Sequence, residues 1–156
     1  MNDSTFDPEA FLGAAINEPM VRRPPLPAGT ELIGVIGEVK FTSGTIGKGD
    51  RQGQPWYRFD FPIEFDLSSK PDLQASLGVD KLTINEGIML DIENGQILTG
   101  TGKNGRLRQY REALDMNKPG DSFSPRGMQG RLIRAKVRLE PYEGEMFEKV
   151  GAVARP

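Results

Sequence analysis

A mainly β fold built from antiparallel strands is what the sequence predicts, and three observations predict it. Several segments alternate apolar and polar residues with a period of two. Nineteen Gly and 12 Pro among 156 residues demand many turns. Helical periodicity, by contrast, is sustained over one stretch only. The length suits a single domain with a sizeable core, and a hydrophobic share of 37% with a charged share of 27% is that of an ordinary globular chain.

The elements follow in chain order. Residues 1–29 read as an N-terminal arm: Asp7 caps a short amphipathic stretch to Ile16, Pro8 suits its first turn, and PPLPAG is stiff and extended. Such an arm packs on its own domain or reaches a neighbouring subunit. From Thr30 the pattern turns to period two. TELIGVIGEVKFTSG predicts a strand with Ile33, Val35, Val39 and Phe41 together on one, apolar face, Gly34, Glu38 and Lys40 on the other, and a bend or bulge at Gly37.

A four-glycine loop, GTIGKGDRQGQP, leads to the clearest strand, in which Tyr57, Phe59, Phe61, Ile63, Phe65 and Leu67 share one face. Trp56, Arg58, Asp60, Glu64 and Asp66 then project from the other. A looser segment with a short helical turn precedes strands near 81–84 and 88–92, and ENG at 93–95 marks a hairpin. KNGRLRQYREALDMNKPGD is the one good helix, with Asn104 as cap, Leu107, Tyr110 and Leu114 on its apolar face, and Arg108 paired with Glu112. Two long strands around PYEGE close the chain. Ile133, Ala135, Val137 and Leu139 point inward, so Arg134, Lys136 and Arg138 line up outward about 7 Å apart.

Composition removes whole classes of chemistry. With no Cys there are no disulfides and no thiolate nucleophiles or ligands; with no His, the common general base and neutral metal ligand are missing. Neither cofactor nor metal is expected. No apolar run approaches the roughly 20 residues of a membrane span, and MNDSTFDPEAFLG lacks the basic and apolar regions of a signal peptide, so a cytoplasmic protein without membrane contact is expected.

Charge is segregated beneath a net of −2. Lys40, Lys48, Arg51 and Arg58 stand against Asp50 alone, four bases between 103 and 111 face no acid, and neither do five between 126 and 138. That pattern suits a polyanion on one face.

Five long strands with one helix between the third and fourth follow the order of a five-stranded, OB-like antiparallel barrel, which makes residues 30–156 a candidate nucleic-acid-binding domain. Binding a single strand without sequence preference needs a cationic groove and exposed rings, each ring contributing about 1–3 kcal/mol of stacking. The candidates are Trp56, Arg58, Arg134, Lys136, Arg138 and Tyr142, with Lys40, Lys48 and Arg51 beside the first hairpin. The competing structural reading makes Trp56 a strand-start residue packed on the arm, and Tyr142 and Phe147 hairpin or core aromatics.

The order FDPEAFL, PLPAGTELIGVIGEVKFTSG, PWYRFDFPIEFDL and GRLIRAKVRLEPYEGEMFEKVGAV resembles the bacteriophage single-stranded-DNA-binding proteins of OB-fold type. The resemblance implies a non-catalytic protein coating single-stranded DNA in phage replication or recombination, in the host cell cytoplasm. It carries the binding role to Trp56, Arg58, Arg134, Lys136, Arg138 and Tyr142. The closing VGAVARP departs from the flexible acidic tail through which many such proteins recruit replication partners. Two rivals stand beside this reading. One is a virion structural or capsid-decorating β-domain, in which the arm clasps another subunit as a homo-oligomer; the other is a nuclease holding Mg²⁺ on Asp60, Glu64, Asp66 and Asp91.

Overall fold

The computed structural model describes residues 5–156. Its spine is β3 (Pro55–Asp66), whose aromatic alternation buries Phe59, Phe61, Ile63 and Phe65 on one side. One edge of β3 pairs along its length with antiparallel β4 (Lys81–Leu90). The other edge is shared: β2 (Lys40–Thr45) pairs with the first half of β3 and β1 (Glu31–Ile36) with the second. Beyond β1 lie β7 (Leu132–Tyr142) and β8 (Glu145–Ala154), joined by a tight turn at Glu143 and Gly144, both at positive φ. A two-stranded hairpin, β5 (Ile92–Glu93) and β6 (Gln96–Ile97), turns at Asn94–Gly95, again with both φ positive as this dipeptide favours.

Three α-helices complete the described chain: α1 (Pro8–Leu12), α2 (Pro71–Leu77) and α3 (Gly105–Ala113). Helix α3 covers the open side of the curved sheet with Leu107, Tyr110 and Ala113, and the Tyr110 ring meets Phe61 edge-on at 5.3 Å. Leu32, Ile36, Ile84, Ile88, Ile133 and Val137 are among the other members of this core. Each such side chain removed from water contributes about 1.5–3 kcal/mol. Asn104 stands at the head of α3 but makes no side-chain cap. Instead its amide bridges Asp91 and Leu98, tying the hairpin to the helix.

The first strand corrects the sequence reading. Leu32, Gly34 and Ile36 face the core, while Ile33 and Val35 lie on the outer face, 40% and 42% exposed. Gly34 is required there, because a β-carbon would come within 2.7 Å of Ile63 and Phe65. The expected bend at Gly37 is present and explains the error. Val39 lies three positions after Ile36, an odd step, so one extra residue at the corner shifts the alternation, and Val39 returns to the core side. Backbone groups at the corner are satisfied from elsewhere: Gly37 N–H donates to Pro62 O at 2.8 Å, Ile36 N–H to Arg131 O at 2.9 Å, and Val39 N–H to the Gln129 side chain at 2.9 Å.

The sheet does not close into a barrel. No ladder joins β4 to β8. The β7–β8 ladder shifts register between Ala135 and Val137, and side chains span the seam between β4 and β8. Arg106 of α3 donates to Glu86 of β4 at 2.8 Å and to Val150 O of β8 at 3.1 Å, and Tyr110 donates to the same Glu86 oxygen at 2.7 Å. Burial first, and then the neighbouring Glu86 carboxylate, push the Tyr110 hydroxyl well above its ordinary titration range.

The arm divides in two. Its root is docked: Glu148, with a side chain only 6% exposed, binds Arg23 at 2.7 Å and accepts from Leu26 N–H at 3.0 Å, and Leu26 is wholly buried. Residues before it stand free of the core, with Phe6, Phe11, Leu12, Ile16, Met20 and Val21 exposed. Asp7 caps α1 as expected, accepting from Glu9 N–H, but the helix stops at Leu12.

Candidate nucleic-acid interface

The outer face of the β2–β3 hairpin is set by three opposed pairs: Gly44 with Trp56, Thr42 with Arg58, and Lys40 with Asp60. The indole of Trp56 lies against Gly44, where a β-carbon would come within 2.6 Å of the ring. Glycine is therefore the seat of the tryptophan, and the neighbour expected in the arm is not what holds it. The Arg58 guanidinium lies 5.2 Å from the indole centroid, within cation–π range.

Arg58 Nε also lies 2.6 Å from Asp60 Oδ1, although its N–H is not aimed at that oxygen, so the contact is an ion pair more than a hydrogen bond. Thr42 donates to the other carboxylate oxygen at 2.6 Å. Burial alone would raise the Asp60 carboxyl, but the Thr42 hydrogen bond and the adjoining Arg58 guanidinium outweigh it and hold the group below the usual range. Gly87 on β4 gives this pair its room, since a β-carbon there would stand 3.1 Å from Arg58 and 3.2 Å from Asp60.

These residues floor a groove of about 710 Å³ that crosses the strands from Lys40 over Asp60 and Gly87 to Lys149, Glu140 and Arg138 on β7 and β8. Lys40, Arg58, Arg138 and Lys149 supply its positive charge, and Glu38, Asp60, Glu86 and Glu140 its negative charge. Arg58 is paired with Asp60 and Arg138 with Glu140 at 3.3 Å. Among the described residues, Lys40 and Lys149 enter no ion pair.

The expected binding residues thus separate. Lys40, Arg58 and Arg138 line the groove, and Trp56 borders it through Arg58. Tyr142 sits at the β7–β8 tip, 65% exposed and edge-on to Phe147 at 6.1 Å, in a small depression that shares Glu140 and Lys149 with the groove. Lys48 and Arg51 lie exposed in the 46–54 loop and do not line it. Arg134 and Lys136 keep the outward direction expected of them but lie farther down β7. Arg134 borders a different hollow with Ile33, Val35 and Leu132, and Lys136 approaches Glu31 at 3.8 Å.

Sequence reading missed Lys149 and Met89. Lys149 was recoverable, because reflecting the two strands about the Glu143–Gly144 turn places it opposite Arg138. Met89 opposes Arg58 across β3 and β4 and is exposed, a pairing no local pattern contains.

The carboxylates considered for Mg²⁺ do not converge. Asp60 is held by Thr42 and Arg58, Glu64 approaches Lys81 at 3.4 Å, Asp66 accepts from Ser68 N–H, and Asp91 accepts from Asn104 N–H. Among the described residues no group of three or more metal-binding side chains forms. Nor is any of the described helices long and apolar enough to cross a membrane. The fold and site define a mainly β protein, an open antiparallel sheet crossed by a groove of mixed charge. No protein-family model matches the chain, and no curated protein is similar enough to count as a relative.

Proposed function

We propose that the chain is a non-catalytic single-stranded-DNA-binding protein of OB type, acting in phage replication or recombination within the host cytoplasm. The observation that carries the reading is the groove across the sheet, bordered by an outward indole and lined by four cationic side chains among four carboxylates, with Lys40 and Lys149 in no ion pair among the described residues. Strand order supports it. Counting β1 and β2 as one bent strand, the order β4, β3, β1, β7, β8 is that of a five-stranded barrel left open at one seam, with α3 inserted between its third and fourth strands. In that numbering Trp56, Arg58 and Met89 occupy the face of the second and third strands, and the 46–54 loop and the β7–β8 turn flank it, the positions at which OB folds take oligonucleotides.

Trp56 fluorescence titrated with oligo-dT at rising salt tests the reading. Base stacking quenches the indole, and at about −0.7 per phosphate contact the four groove cations give a slope of log affinity against log salt of roughly −2.8. Lys40→Ala with Lys149→Ala weakens binding and flattens the slope to roughly −1.4. Absence of quenching at low salt refutes the proposal.

One observation favours a second reading, a subunit-clasping β-domain of a virion. Six large apolar side chains of the arm are exposed although its root is firmly docked. A homo-oligomer through the arm is compatible with either function. Light scattering on the full chain and on a chain beginning at Val21 separates the two: assembly lost on truncation, with no retention of oligo-dT by the full chain, supports the virion reading.

A further inference from the structure

The groove carries as many acidic as basic side chains, so it does not account for the acid-free basic segment at 103–111. That segment builds a second cavity, of about 350 Å³, between the 97–105 loop and the flank of α3. Lys103, Arg108 and Arg111 all line it, Thr99, Thr101 and Asn117 add neutral polar groups, and no carboxylate does. We propose that this cavity binds a phosphate group.

The argument rests on unbalanced charge in a concave site. Arg108 and Arg111 stand three residues apart and so share one side of α3, facing Lys103 of the loop. Arg111 is fixed before any ligand arrives: its Nε–H donates to Met116 O at 3.1 Å and its guanidinium lies 4.6 Å from the Phe123 ring. Its terminal nitrogens remain available as donors in a planar fork, the geometry that matches phosphate oxygens.

Two acids lie beside the site without lining it: Glu112 approaches Arg108 at 3.7 Å, with both side chains largely exposed, and Asp91 accepts from Asn104 N–H. Lys103 enters no ion pair among the described residues. Three cations around one small cavity repel each other, and an anion bearing two or more negative charges relieves that repulsion. The Gly-Thr-Gly sequence at 100–102 lines the cavity with little side-chain bulk, so a tetrahedral anion is not shut out.

Phosphate on a free nucleotide and phosphate in a polynucleotide share this chemistry, and the test separates them. The full chain, labelled with ¹⁵N, is titrated with inorganic phosphate, with pyrophosphate and with oligo-dT while the amide signals of Gly100, Gly102 and Gly105 are followed. Saturable shifts with pyrophosphate are expected. Lys103→Gln with Arg108→Gln weakens them at least about tenfold, since each lost cation removes a charge-assisted bond, whereas Arg108→Lys retains most of the affinity. Oligo-dT moving the same signals assigns the site to a polynucleotide; pyrophosphate alone moving them assigns it to a free nucleotide.

No shift with any of the three, or shifts undiminished in the double variant with an unchanged amide spectrum, overturns the proposal. The Trp56 signal, read in the same samples, reports the groove separately. Quenching lost with loop shifts retained leaves the cavity standing and removes the groove reading; the opposite result does the reverse.

Discussion

Gly44→Ala is the sharpest perturbation of the binding face, because one methyl group acts on one ring. The added carbon would sit 2.6 Å from two indole atoms and 2.7 Å from a third, well inside van der Waals contact, so the ring must lift or the strand must shift. Overpacking of this kind costs about 1–3 kcal/mol. Alanine offsets part of that, since glycine in a strand gives up about 0.5–1 kcal/mol. A net loss of about 1–2 kcal/mol is expected in urea unfolding.

With Trp56→Ala already present the clash is gone, and Gly44→Ala becomes neutral or slightly stabilising, giving a coupling of about 1.5–2.5 kcal/mol in the double-mutant cycle. In the single variant the displaced indole changes its emission maximum. Under the proposed function it also loses stacking worth about 1–3 kcal/mol, a weakening of oligo-dT binding of roughly 5- to 150-fold. Additive energies in the cycle, with emission unchanged, refute the placement of Trp56 on Gly44.

Gly34→Ala forces a methyl group into Ile63 and Phe65 and costs about 1–3 kcal/mol in chemical denaturation, whereas Ile33→Ser and Val35→Ser on the outer face each cost under about 1 kcal/mol. The Glu148 clamp sets a pH dependence. Burial alone would raise its carboxyl, but the bonds from Arg23 and Leu26 N–H prevail and hold it below the usual glutamate range. A depressed folded pKa means that this stabilisation is complete above the ordinary glutamate range and is lost as pH falls through the folded value, so the protection of the Leu26 amide against exchange, relative to its intrinsic rate at each pH, declines in acid. Glu148→Gln removes that acid dependence. Arg106→Ala unpins the seam and leaves Glu86, 12% exposed, without its cation, a loss of about 2–4 kcal/mol read by urea unfolding.

What the sequence disclosed follows from the range of the interactions that decided each element. β3 was legible because its apolar residues alternate without interruption from Tyr57 to Leu67, and β7 because Ile133, Ala135 and Val137 do the same. The Asn94–Gly95 turn was legible from local chemistry alone. The face of β1 was not, because Ile33 and Val35 are as apolar as Leu32 and Ile36; what chose between them was the lack of space above Gly34, created by residues about 30 positions away. The groove fared similarly. Its members come from β2, β3, β4, β7 and β8; of its cations only Lys40, Arg58 and Arg138 stood out beforehand, and Asp60 stood out only as a metal ligand. Arg134 and Lys136 share Arg138's direction but not its position, since alternation fixes which way a side chain points and not how far along the sheet it lies.

The corner between β1 and β2 constrains how this chain can vary. Gly37, Glu38 and Val39 take the backbone from one partner segment of β3 to another while reversing which parity faces inward. Removing a single residue there leaves two outcomes: a straightened strand that forfeits one of its two pairings, or a slip that drives Lys40 and Thr42 inward. Homologous chains should therefore tolerate substitution at Glu38 freely while keeping the count of residues across the corner invariant.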